Sequence, residues 1–141
     1  MGLLIAGCLS AGSAQAQDLE AYVNSIQSVD QIKQEIRETL LQRDQCGVGS
    51  CYNFTSTSIC AAVGALDIRV DGKILESGSG WSDQILPISD ADLALMQQIF
   101  AQCQLSNYQY WNFDSMLHVI YSPTPAADAA IRQQLGLPPA P

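Results

Sequence analysis

The sequence predicts a single α+β domain: an antiparallel sheet of four to five strands, helices packed on one face, and two disulfides as staples. Three observations lead there. Helical and strand-like segments follow one another in mixed order, as α+β folds require. Asp71-Gly72 stands between two β-rich runs, the sequence form of a tight hairpin. Four cysteines remain once an N-terminal leader is set aside, an even number that suits two bridges.

The chain has 141 residues, enough for one domain. It is 48% hydrophobic and 14% charged, too apolar for disorder and too poorly charged for a coiled coil. Six Lys and Arg stand against 14 Asp and Glu, for a net charge of −8. Such a body repels phosphate backbones, which argues against a nucleic-acid partner. No apolar run reaches the roughly 18 residues of a spanning helix, so no transmembrane segment is expected after leader cleavage.

Residues 1–16 carry an apolar stretch from Leu3 to Leu9 and end in Ala14-Gln15-Ala16, the pattern of a secretory signal peptide. Residues 17–141 then form the exported domain, periplasmic or secreted. The usual positive start is missing, because no Lys or Arg precedes Lys33. Ile5-Ala6-Gly7-Cys8 offers an alternative: it is similar to a bacterial lipobox, with Cys8 lipidated and the domain anchored to the envelope. About six residues precede Cys8, fewer than the apolar region of a signal peptide, so ordinary cleavage is preferred.

The elements follow in order. Asp18 opens a helical stretch with Leu19, Tyr22, Val23 and Ile26 on one face. Ser28-Val29-Asp30-Gln31 has the form of a capping box and starts a second helix. Its apolar side is Ile32, Ile36, Leu40 and Leu41, and the two helices together could form one bent rod. The Cys46–Cys51 loop ends it. Residues 52–59 (YNFTSTSI) are rich in β-formers and predict a strand. Residues 66–76 predict a hairpin with Leu66, Ile68 and Val70 inward, Asp67 and Arg69 in water. A Gly/Ser loop around Trp81 follows. Ser89 or Asp90 caps a helix with Leu93, Met96, Ile99 and Phe100 as its buried stripe, and Asp92 suits the positive helix start. Residues 108–113 and 116–121 predict an antiparallel pair. Thr124 as cap, Pro125 at the first position and Gly136 just past the end delimit a last helix, with a frayed tail beyond. No internal repeat or domain boundary follows residue 17.

Cys46, Cys51, Cys60 and Cys103 allow three pairings, of which Cys46–Cys51 with Cys60–Cys103 is favoured, since GVGS closes a small flexible loop. The spacing matches no common zinc site, and the redox C-x-x-C pair is absent. No metal or other cofactor is expected.

Catalytic signals are sparse. His118 is the single histidine, and Ser115, three residues away on a strand, points to the opposite face. Asp114 could share the face of His118 but activates nothing by itself. A nucleophile elbow, a phosphate-cradling glycine loop and a calcium loop are all missing. Asn53-Phe54-Thr55 fits a glycosylation sequon, a three-residue match taken as chance. Glu76, Asp83, Asp90 and Asp92 are the carboxylates open to a hydrolytic pair, though Asp90 and Asp92 read better as helix-start charges. Tyr108, Tyr110, Trp111, Phe113 and Tyr121 form the richest aromatic run, expected to fill the core with one face.

The resulting expectation is a non-catalytic exported envelope protein that binds one protein partner, of the inhibitor or immunity type, with a basic cell-wall lytic enzyme as the target its acidity suits. Trp81 and Asp83 in the loop, with Asp71 at the turn, are the expected contact residues. Two alternatives stand beside it: a small periplasmic hydrolase using carboxylates or His118, and a structural accessory subunit of an envelope complex.

Overall fold

The computed structural model describes residues 20–47, 50–76, 84–105 and 119–141. Their architecture is helical, not sheet-based. A short helix over 20–25 is followed by α1 (Val29–Asp44), α2 (Ser50–Arg69), α3 (Asp90–Ala101), β1 (Cys103–Leu105), β2 (Val119–Tyr121) and α4 (Pro125–Leu135). The strands form one two-stranded antiparallel ribbon, with Cys103 opposite Tyr121 and Leu105 opposite Val119. The expected four- to five-stranded sheet is therefore replaced, among the described residues, by a helical body with a ribbon against it.

The largest correction is α2. It joins in one 20-residue helix the segment expected as a strand at 52–59 and the first arm of the expected hairpin. A helix of this length spans about 30 Å. Every residue from Ile59 to Val70 is buried. Over 59–70 the sequence lacks a helical stripe because this part has no outward face, and all-round burial removes the periodicity that marks a surface helix. Ala61, Ala62, Gly64 and Ala65 keep its girth small where neighbours close in. Both α1 and β2 pack on it. Asp67 and Arg69, expected in water, are buried at 5% and 4% exposure.

The Asp-Gly signal was right about backbone and wrong about context. Asp71 and Gly72 take φ of 64° and 75°, the left-handed values a type I′ turn needs. They lie in a run of turns over 71–76 that leaves α2 instead of joining two strands. The buried Asp67 organises that run. Its Oδ1 accepts from the amides of Ile74 at 2.8 Å and Leu75 at 3.0 Å, and its carbonyl accepts from Gly72 at 2.8 Å.

Local capping chemistry holds as expected. Ser28 accepts from Gln31 N, Ser89 from Asp92 N and Thr124 from Ala127 N. Pro125 opens α4 and Gly136 closes it at φ 74°. Residues 26–28 separate the first two helices, so they are not one bent rod. Ile32, Ile36 and Leu40 are buried, but Leu41 is 41% exposed, because it lies one position off the stripe. In α3 the buried residues are Leu95, Met96 and Ile99, with Leu93 and Phe100 packed at the margin. The strand 119–121 pairs with Cys103–Leu105; its expected partner 108–113 lies outside the described residues, together with 116–118. The tail is tied near its start: Leu137 N donates to Arg132 O, and Pro138 O accepts from Arg132 Nη1.

The favoured cysteine pairing is found. Cys46–Cys51 clamps the α1–α2 connection, and Cys60–Cys103 ties the middle of α2 to β1. The second bridge spans 43 positions and the first only 5, so chain entropy weights them differently. Replacing Cys60 and Cys103 by Ala should lower unfolding stability by about 4 kcal/mol, against about 2 kcal/mol for the Cys46/Cys51 double replacement, as read from urea unfolding.

Candidate functional site

Of the three expected contact residues, Asp71 is described and is exposed on the turn that follows α2. Glu76 is exposed at the far end of the same turn, at φ 54°. Trp81 and Asp83 lie outside the described residues, as do Cys8, Asp114, Ser115 and His118. Asp90 and Asp92 stand in the first turn of α3, where the helix dipole favours a carboxylate. Asp92 also pairs with Lys33 of α1 at 3.0 Å, joining the two helices. Asp90 and Asp92 thus serve as helix-start charges, and Asp92 also as a tie between helices.

The polar chemistry of the interior lies elsewhere, on residues that sequence reasoning did not single out. Arg132 of α4 is 1% exposed. It grips Asp44 at the end of α1 with two hydrogen bonds, Nη1 to Oδ2 at 2.8 Å and Nη2 to Oδ1 at 2.6 Å. Its Nε donates to Asp128 one helical turn earlier, at 2.8 Å. The planar guanidinium suits this two-pronged pairing. The Asp44 hydrogen bonds, with those of Asp128, raise its pKa above the ordinary arginine value, against the opposing effect of burial. The Tyr121 hydroxyl donates to the other Asp128 oxygen at 3.0 Å. Burial, then the charge of Asp128, pushes the Tyr121 hydroxyl well above the usual phenol range.

Arg43, 8% exposed, continues the network on the other side of Tyr121. Its guanidinium carbon lies 4.1 Å from the Tyr52 ring centre and 5.3 Å from that of Tyr121, inside the range of cation–π attraction. Nε donates to Ser56 Oγ at 2.9 Å, and Nη2 donates to the Tyr52 hydroxyl and to the Tyr121 carbonyl. Arg69 does a third job: it donates to the carbonyls of Val23 and Ile26, closing the 20–25 helix, and to Gln84 O. A cation at a helix C-terminus is favoured by the dipole. No buried side-chain N or O among the described residues lacks a hydrogen-bond partner. Such a network fixes packing, and it presents no poised nucleophile or base.

One described carboxyl is perturbed upward. Burial raises the Glu35 pKa, against hydrogen bonds from Tyr22 and Gln31 that lower it, with Glu38 adding repulsion. Tyr22 Oη donates to Glu35 Oε1 at 2.7 Å, pinning the 20–25 helix on α1. Burial and the Glu35 charge push the Tyr22 hydroxyl well above its usual range.

The exposed charge is mostly acidic. Among the described residues the exposed carboxylates are Glu20, Asp30, Glu38, Asp71, Glu76 and Asp90, against one exposed cation, Lys73. Three of the six cations, Arg43, Arg69 and Arg132, are inside. No group of three or more His, Cys, Asp or Glu among the described residues could hold a metal ion. No helix among them is long and apolar enough to cross a membrane.

Two measurements test these ties. Arg132→Ala leaves Asp44 and Asp128 without their cation and should cost about 3 kcal/mol in urea unfolding at neutral pH. For Glu35 the folded pKa lies above the unfolded one, so its contribution is full below the ordinary Glu range and lost as pH rises through the folded value. Glu35→Gln keeps an acceptor for Tyr22, so it should remove that decline and match or exceed the parent at neutral pH. Tyr22→Phe should cost about 1–2 kcal/mol there, because it strips a hydrogen bond from a largely buried carboxylate.

Comparison with known protein families, curated proteins and solved structures finds no match for this chain.

Proposed function

We propose that this chain is an exported, non-catalytic protein whose acidic exterior binds one basic protein partner, with an inhibitor or immunity protein of a cell-wall lytic enzyme as the physical type. The observation that carries the reading is the partition of charge. Among the described residues six carboxylates are exposed against one exposed cation, Lys73, in a chain of net charge −8. A field of one sign raises association rates with an oppositely charged partner and rejects like-charged ones. Two intramolecular disulfides fit an oxidising compartment. Cleavage after Ala16 would release the domain; lipidation at Cys8 would tether it.

The contact region of this reading runs from the 71–76 turn into the 77–83 loop, with Asp71, Trp81 and Asp83 as its chemistry. Trp is enriched among residues that dominate binding energy, and a carboxylate beside it would steer a basic partner.

Capture of envelope proteins on immobilised residues 17–141, read by mass spectrometry, tests the proposal. One stoichiometric basic partner should be held at low salt and bind at least about tenfold more weakly near 0.3 M salt. Trp81→Ala should slow binding little but speed dissociation, whereas Asp71→Lys should mainly reduce the association rate. Salt-insensitive capture, or binding unchanged by both substitutions, would overturn the reading.

A further inference from the structure

The two disulfides sit in opposite surroundings. Cys60 is fully buried in the middle of α2, and Cys103 is half-buried at the start of β1. Cys46 is half-buried just past the C-cap of α1, and Cys51 is exposed in the first turn of α2. We propose that Cys46–Cys51 is a thiol-exchange switch: a dithiol opens it while Cys60–Cys103 stays closed, and opening releases Tyr52 from Arg43.

Access is the first argument, since exchange needs a thiolate to reach a disulfide sulfur: neither Cys46 nor Cys51 is fully buried, whereas Cys60 is, and Cys103 packs against the core. The leaving group is the second. Attack on Cys46 Sγ joins it to the incoming sulfur and breaks the Cys46–Cys51 bond, whose electron pair departs with Cys51 Sγ. That thiolate forms in the first turn of α2, where the positive end of the helix dipole stabilises it. Attack on Cys51 would instead leave a thiolate beside the C-terminal carbonyls of α1, the unfavourable end. The second thiol of the dithiol then attacks the mixed disulfide. Cys46 leaves as a thiolate that takes a proton from water, and the dithiol departs oxidised. Two electrons pass from the dithiol to the protein. The short loop is the third argument: opening it returns little entropy to the unfolded chain, so the fold survives the loss.

The consequence is local and specific. Tyr52 follows Cys51 directly, stacks on Arg43 and receives a hydrogen bond from its Nη2. It is 38% exposed and directly follows the clamped Cys51. Burial begins at Thr55 and Ser56, and the Ser56 hydroxyl still holds Arg43 Nε. What loosens is therefore the start of α2, residues 51–54, with Cys46. Arg43 stays where it is, with one aromatic face uncovered, and an interior cation becomes a surface cation on an otherwise acidic exterior. Since C-x-x-C is absent, the chain is acted upon in this exchange and is not itself an oxidoreductase.

Titration of the oxidised chain with dithiothreitol, acid quench, alkylation and peptide mapping tests the switch, with hydrogen exchange in parallel. A window is expected in which Cys46 and Cys51 are alkylated and Cys60–Cys103 is intact. In that window amides 51–55 should exchange at least about tenfold faster, with 59–69 unchanged. Glutathione, a monothiol, should form its adduct on Cys46 and leave Cys51 to the alkylating agent. The Cys46→Ala/Cys51→Ala protein should show the same faster exchange without reductant. Loss of both bonds in one unfolding transition, a glutathione adduct on Cys51, or opening without faster exchange at 51–55 would each overturn the proposal.

Discussion

A helix without a polar face must be surrounded, and the structure follows from surrounding α2. From Ile59 to Val70 no side of it meets water. α1 lies along it, the ribbon strand β2 lies against it, and α3 closes on it. The covalent tie from Cys60 to Cys103 fixes the ribbon to its midpoint. Burying a whole helix takes its flanking polar groups inside too, and these must be satisfied there. Asp67 does so by binding the amides of the turn that leaves α2, and Arg69 by capping the 20–25 helix.

The same demand explains where the cations go. Arg43 and Arg132 stand on different helices, yet both converge on Tyr121, one through its ring and carbonyl, the other through Asp128. Asp44 completes the link from α1 to α4. A buried guanidinium is tolerable only where carboxylates, carbonyls and aromatic faces use all its donors. Three cations and the carboxylates Asp44, Asp67 and Asp128 are used in this way, and the acidity of the outside follows from the excess of 14 Asp and Glu over six Lys and Arg.

Cys46–Cys51 stands at the edge of this interior. It joins the end of α1 to the start of α2, one residue from the tyrosine that covers Arg43. The long-range bridge stabilises the core, whereas the short one governs access to it. A chain with two disulfides so different in exposure can lose one and keep its fold.

What the sequence determined by itself is what depends on a few neighbouring residues. Ser28, Ser89 and Thr124 cap their helices because each offers an oxygen to an amide three positions on. Gly136 ends α4, and Asp71-Gly72 takes the left-handed backbone its residue types favour. The cysteine pairing was legible from loop size. The element between the caps was not always so: YNFTSTSI and LDIRV carry β-formers and alternation, but β-propensity records fit to a half-buried surface and yields to context. The tertiary structure decided that these runs are one helix, with 59–70 enclosed on all sides so that this part needs no helical stripe. It also decided that Asp67 and Arg69 lie inside, and that Arg132 meets Asp44 across 88 positions. Of the expected site, Asp71 is exposed as its turn chemistry implied. The interior guanidinium network was hidden, since pairing between distant charges is set by packing and leaves no local pattern to read.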